Sequence, residues 1–151
     1  GTNFMSAEEV LNEGVLQFVD TNILVYAYDR SAGSRHERAR RLVKELWDSG
    51  NGCLSVQVLQ EYHVTVTRKV AHPLSSEQST QVIRGLAMWQ LHAPGADDVL
   101  AAIQFQEQYQ ISFWDAMIVQ SANRLECPIL WSEDLNPGQS YGAVQVRNPF
   151  P

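Results

Sequence analysis

Across Gln17-Phe18-Val19-Asp20-Thr21-Asn22-Ile23-Leu24-Val25-Tyr26 an apolar strand runs into an acid and continues at once as an apolar helix. This stretch constrains the fold more than any other, because it puts a carboxylate at the end of a strand, where open α/β sheets place their ligands. Three further acids recur in similar settings: Glu61 within a helical stretch, Asp115 at the opening of another, and the Glu133-Asp134 pair after the last strong strand. The expectation is that these acids meet and hold metal.

The chain order supplies a frame for that meeting. Val15 to Val19 predicts a central strand, Thr21 to Tyr28 a helix, and Asp29 to Ser34 a loop. Ser34 is a candidate N-cap for a helix with Ala39, Leu42, Val43, Leu46 and Trp47 at helical spacing, its basic residues facing outward. Cys53 to Val56 predicts a second buried strand. The following helix lines one side with Val58, Leu59, Tyr62 and Val66, and should stop near Ala71-His72 before Pro73. Ser75-Ser76-Glu77-Gln78 is a capping box opening a helix with Val82, Ile83, Leu86 and Ala87 inward. Leu91 to Pro94 predicts a short strand, Asp97 or Asp98 a helix start, and Ser112 the cap of a helix from Phe113 to about Leu125. Pro128 to Trp131 is the next strand, and Val144-Gln145-Val146 alternates as a last, edge strand. Strands separated by helices imply a parallel sheet with helices on both faces, which brings the strand ends to one edge.

Length and charge narrow the class. The 151 residues suit one domain with a full core. It is placed at 15–151, behind a 1–14 N-terminal extension or cloning remnant plus short polar segment, in which 6–13 form a short helix or stay loose. No apolar run reaches the roughly 20 residues of a membrane span, and the acidic start is unlike a signal peptide. Cys53 and Cys127 lack metal-type spacing and are expected as reduced, buried thiols in a cytoplasm. The net charge of -6 argues against gripping nucleic acid chiefly through a basic surface, although Arg30, Arg35, Arg38, Arg40, Arg41 and Lys44 cluster in one stretch.

Each acid has an ordinary alternative. Asp20 can be an N-cap, Glu61 a solvated helix residue, and Asp115 the partner of Ser112 in a capping box; Glu133-Asp134 can be a surface turn. Together these explanations become less comfortable, because a parallel sheet gathers all four positions at its C-terminal edge. Like charges that close repel unless a cation sits among them. Oxygen-only ligands suit Mg²⁺ or Mn²⁺ and not zinc, and such ions can clamp a phosphate and activate a water.

In order, F-V-D-T-N-I-L, L-Q-E-Y, S-F-W-D-A-M-I-V and I-L-W-S-E-D-L-N-P-G resemble the PIN domain family, most closely VapC-type toxins of toxin-antitoxin pairs. The similarity runs from about Leu16 to Val146. The resemblance implies a three-layer α/β/α PIN-like domain with a small central parallel sheet. It implies that Asp20, Glu61, Asp115 and Asp134 are the metal-binding acids of a Mg²⁺- or Mn²⁺-dependent endoribonuclease, supported by Thr21, Asn22 and Ser132. Glu133 is an additional ligand or a neighbour that tunes the site. Arg30, Arg35, Arg38 and Arg41 are candidate RNA contacts, against the alternative of a solvated basic face. The resemblance also implies a small antitoxin that covers the acidic site, and a homodimer.

Other classes fit less well. A haloacid-dehalogenase-type phosphatase needs a second Asp where this chain has Asn22, and a phospho-receiver wants a late Lys, whereas no Lys follows Lys69. His36, His63, His72 and His92 show no HExxH or triad-like context, so surface or structural roles are expected. The remaining alternative is a catalytically inactive PIN-like RNA-binding or protein-interaction module.

Overall fold

A computed structural model describes residues 14–151. The expected 6–13 helix and the terminal remnant lie outside the described residues. Chain order is β1 (Gln17–Val19), α1 (Thr21–Tyr28), α2 (Ser34–Ser49), β2 (Gly52–Ser55), α3 (Val56–Arg68), α4 (Ser76–Leu86) and β3 (Gln90–His92). There follow α5 (Ala96–Tyr109), α6 (Phe113–Arg124), β4 (Ile129–Trp131), β5 (Ser140–Tyr141) and β6 (Val144–Arg147). The strands form one six-stranded sheet in the order β3-β2-β1-β4-β6-β5. All pairs are parallel except β5 with β6.

β1 lies between β2 and β4, with Phe18 level with Cys53 on one side and Leu130 on the other. Its three residues are fully buried, as a strand covered on both faces requires. The chain leaves β1 toward β2 and β3, then returns on the opposite side through β4 and β6. The strand order therefore reverses between β1 and β4, and a crevice opens beyond their C-terminal ends. Asp20 follows β1 directly, and its amide donates to the Trp131 carbonyl at 2.9 Å. Deeper in the sheet the Trp131 indole donates to Gln17 Oε1 at 2.7 Å, satisfying two buried polar groups with each other.

The helices follow the apolar periodicity with local differences. In α2, Ala39, Leu42, Val43 and Leu46 are buried as expected, but Gly33 is the N-cap and Ser34 the first helical residue. Trp47 is half exposed; it stands beside Gly85 and meets Trp89 edge-on, with ring centroids 6.0 Å apart. Val56 opens α3 and does not close β2: the Ser55 hydroxyl accepts from the Val58 amide and caps the helix. α3 ends at Arg68, earlier than Pro73 alone requires. The Leu74 amide donates to the Val66 carbonyl that a continuing helix would offer to Val70. The capping box at Ser75 and Gln78 forms, but Ala87 lies past the end of α4 and is exposed. β6 is not an edge strand, since the two-residue β5 folds back against its outer side.

Candidate active site

The four acids reach the crevice from four separate segments. Asp20 sits at the β1–α1 junction, Glu61 on α3, Asp115 in the first turn of α6, and Asp134 beyond β4. All four, with Thr21 and Asn22, line one pocket of about 480 Å³. Asp20 is its buried floor and acts as N-cap of α1, with Oδ1 accepting from the Thr21 amide at 2.7 Å. Its other oxygen accepts from Ser132 Oγ at 2.7 Å, and that hydroxyl in turn accepts from the Asp134 amide at 3.1 Å. Ser132 thus links the loop after β4 to the carboxylate after β1. Capping and a place in the pocket are compatible for Asp20, because each carboxylate oxygen has a lone pair beyond the one hydrogen bond it accepts.

The other acids are less enclosed. Glu61 accepts from Gln57 Nε2 at 2.6 Å and from Thr21 Oγ1 at 3.5 Å. Ser112 caps α6 by accepting from the Asp115 amide at 3.1 Å, but the reciprocal bond that would complete a capping box is not among the hydrogen bonds of Asp115. The Asp115 carboxylate is left to the pocket. Glu133 turns elsewhere: Tyr26 Oη donates to one oxygen at 3.0 Å and Arg35 Nε to the other at 2.8 Å, and Arg35 lies over the Phe150 ring. Glu133 is not among the pocket-lining residues.

The charges interact. Burial pushes the Asp20 carboxyl up to about 7; hydrogen bonds from Ser132 and Thr21 oppose this, and the negative charges of Asp134 and Asp115 add to it. Asp134 is also raised, first by desolvation and then by Asp115 and Glu133, against a hydrogen bond from Asn22. The side-chain oxygens of Asn22 and Gln57, both on the pocket, are buried without a hydrogen-bond partner. Among the described residues no group of three or more His, Cys, Asp or Glu side chains is placed to hold a metal ion. The pocket nonetheless fits a hard divalent cation by its chemistry: mutually repelling carboxylates, orphaned carboxamide oxygens and no sulfur or imidazole.

None of Arg30, Arg35, Arg38 and Arg41 lines this pocket. Its cation is Lys69, and Gln57, Thr65 and Trp114 also belong to its wall, none of which was singled out from sequence. A signal existed, since Gln57, Glu61, Thr65 and Lys69 recur every fourth residue. The structural role expected of the histidines takes a specific form at His92. His92 lies 2.8 Å from Ser121 Oγ and 3.2 Å from Asp98, a Ser-His-Asp series assembled from β3, α6 and α5. Ser121 is fully buried, so no substrate reaches its hydroxyl and the series ties elements together.

A family model described as PIN domain matches residues 18–138. Among solved structures, the chain is similar to Mycobacterium tuberculosis VapC20, described as a Sarcin-Ricin loop cleaving toxin. The identity is 21% and the TM-score 0.61, over 78% of this chain and 91% of that one. A toxin-antitoxin complex from Klebsiella pneumoniae aligns at 16% identity and TM-score 0.66, over 89% and 98%. DNA-bound VapBC from Salmonella typhimurium aligns at 13% and 0.64, over 90% and 99%. No curated protein sequence matches the chain. At these identities the structural likeness speaks for the fold.

Proposed function

The chain belongs to the PIN domain family, and from that premise we propose that it is a metal-dependent endoribonuclease of the cytoplasm, the toxin of a toxin-antitoxin pair. The observation that carries this reading is the convergence of Asp20, Glu61, Asp115 and Asp134 on one pocket of oxygen donors. These four residues would hold Mg²⁺ or Mn²⁺. A divalent cation, when bound, supplies positive charge that steadies a scissile phosphate and makes a water more acidic.

The chain's own groups prepare the site. Ser132 and the Thr21 amide hold both oxygens of Asp20 in place, and Asn22 donates to Asp134. Gln57 and Thr21 orient Glu61. Asp20, whose pKa is pushed up to about 7, would have to give up its proton to hold the cation. The buried side chains of Val25 and Ile118 contribute to the apolar part of the wall. Likeness to a loop-cleaving toxin supports RNA as substrate, and likeness to toxin-antitoxin complexes supports an antitoxin partner; a small antitoxin over the acidic pocket and a dimeric toxin belong to the same proposal.

The test is cleavage of a mixed RNA pool by antitoxin-free protein with Mn²⁺, Mg²⁺ or EDTA. Cleavage should require a divalent ion and fall on the order of 100-fold or more in folded Asp20→Asn and Asp115→Asn. Protein that binds RNA yet shows no metal-dependent cleavage would be an interaction module instead.

A further inference from the structure

Gln57, Glu61, Thr65 and Lys69 all line the acidic pocket. Residues four apart stack on one face of a helix, so the pocket follows α3 as a groove of about 18 Å at 1.5 Å per residue. Its two ends differ from its middle. At the Gln57 end stands Trp114, whose carbonyl accepts from Gln57 Nε2 at 3.2 Å, the same nitrogen that binds Glu61. Phe113 holds the indole edge-on at 5.1 Å, yet Trp114 remains 65% exposed, whereas Trp131 in the sheet is 4% exposed. The core does not need this ring, and it adjoins Asp115 in the chain.

At the other end is Lys69. It takes part in none of the ion pairs among the described residues and is the one cation on the groove wall. A planar apolar face, a band of carboxylates and a cation thus follow one another along α3. We propose that Trp114 and Lys69 position a single RNA strand in this groove, Trp114 by stacking one unpaired base and Lys69 by pairing a backbone phosphate, on either side of the phosphate at the acids.

The choice of RNA rests on the ribonuclease reading of this same pocket. The choice of a single strand rests on Trp114, because base faces are free to stack only where the strand is unpaired. Lys69 favours an anionic ligand at its end of the groove.

The test is fluorescence anisotropy with the full chain and a labelled mixed-sequence RNA of about 12 nucleotides. The RNA is used single-stranded and annealed to its complement, in Ca²⁺, with strand integrity checked on a gel. Trp114→Ala should weaken single-strand binding about tenfold, and Trp114→Tyr should restore most of it. Lys69→Gln should lower the slope of log affinity against log salt by about 0.7. Duplex binding should be weaker and indifferent to Trp114. Both side chains are exposed, so the variants should keep the wild-type melting temperature.

Wild-type protein that binds no single strand, or a Trp114→Ala variant that binds it as well as wild type does, overturns the proposal. Trp114-dependent binding by a protein that never cleaves in Mn²⁺ retires the ribonuclease reading and leaves the groove assignment standing. Cleavage with an unchanged KM in Trp114→Ala does the reverse.

Discussion

Asp20 accepts two short hydrogen bonds, each of which favours its charged form, and still its pKa is pushed up to about 7 from an ordinary 3.8. Desolvation at the floor of the pocket, with Asp134 and Asp115 nearby, outweighs them. Below about pH 4 the folded and unfolded chains both carry the proton. Between about pH 4 and 7 the unfolded chain has lost it while the folded chain keeps it, so stability falls across that window and levels off above 7. The loss amounts to roughly 4 kcal/mol when about three pKa units are converted at 1.36 kcal/mol each. In EDTA, Asp20→Asn should therefore be more stable than wild type at pH 8, by on the order of 2 kcal/mol, with the gain disappearing near pH 4. Denaturant midpoints at the two pH values check this, and a gain independent of pH would refute it.

Elements meet where glycine permits. A Cβ on Gly52, at the start of β2, would stand 2.4 Å from the Trp89 ring, and one on Gly85 in α4 2.5 Å from Trp47. The two indoles, themselves in edge contact, seal the junction of α2, α4 and β2. Ala normally suits a strand better than Gly does, yet Gly52→Ala should destabilise by about 2 kcal/mol, because the methyl overpacks a ring closed in on both sides. A shift of the urea midpoint with unchanged slope would show it. At the same scale, much was legible in the sequence. The helix over Thr21–Tyr28 follows from its apolar run, and the Ser75 and Ser112 caps follow from local chemistry. The inward Ala87, the edge position of β6 and the late end of α3 did not hold. Each depended on a partner distant in sequence or on backbone geometry beyond the local pattern: the end of α4, the β5 hairpin, and the Leu74 amide bonded to Val66.

For the whole molecule, mutually repelling acids held in one pocket make folding and cation binding a linked equilibrium. Saturating Mn²⁺ or Mg²⁺ should raise the melting temperature of the wild type at pH 7. A hundredfold excess over Kd is worth about 2.7 kcal/mol, or roughly 5–11 °C in a domain of this size. Asp20→Asn and Asp134→Asn should lose most of that rise. An equal rise in the variants, measured by calorimetry with a Ca²⁺-free chelated control, would place the ions elsewhere. What the sequence determined by itself was which residues could form strands, helices and caps, and that acids stood after β1 and β4, because those are properties of local runs. That Asp115 would lack the return bond of a capping box, that Glu133 would turn to Arg35 and Tyr26, and that Lys69 and Trp114 would share a wall with Asp20 was decided only by tertiary structure. A side chain's partners depend on which distant segments the sheet order brings beside it. Here the reversal between β1 and β4 is what opened the crevice into which they converge.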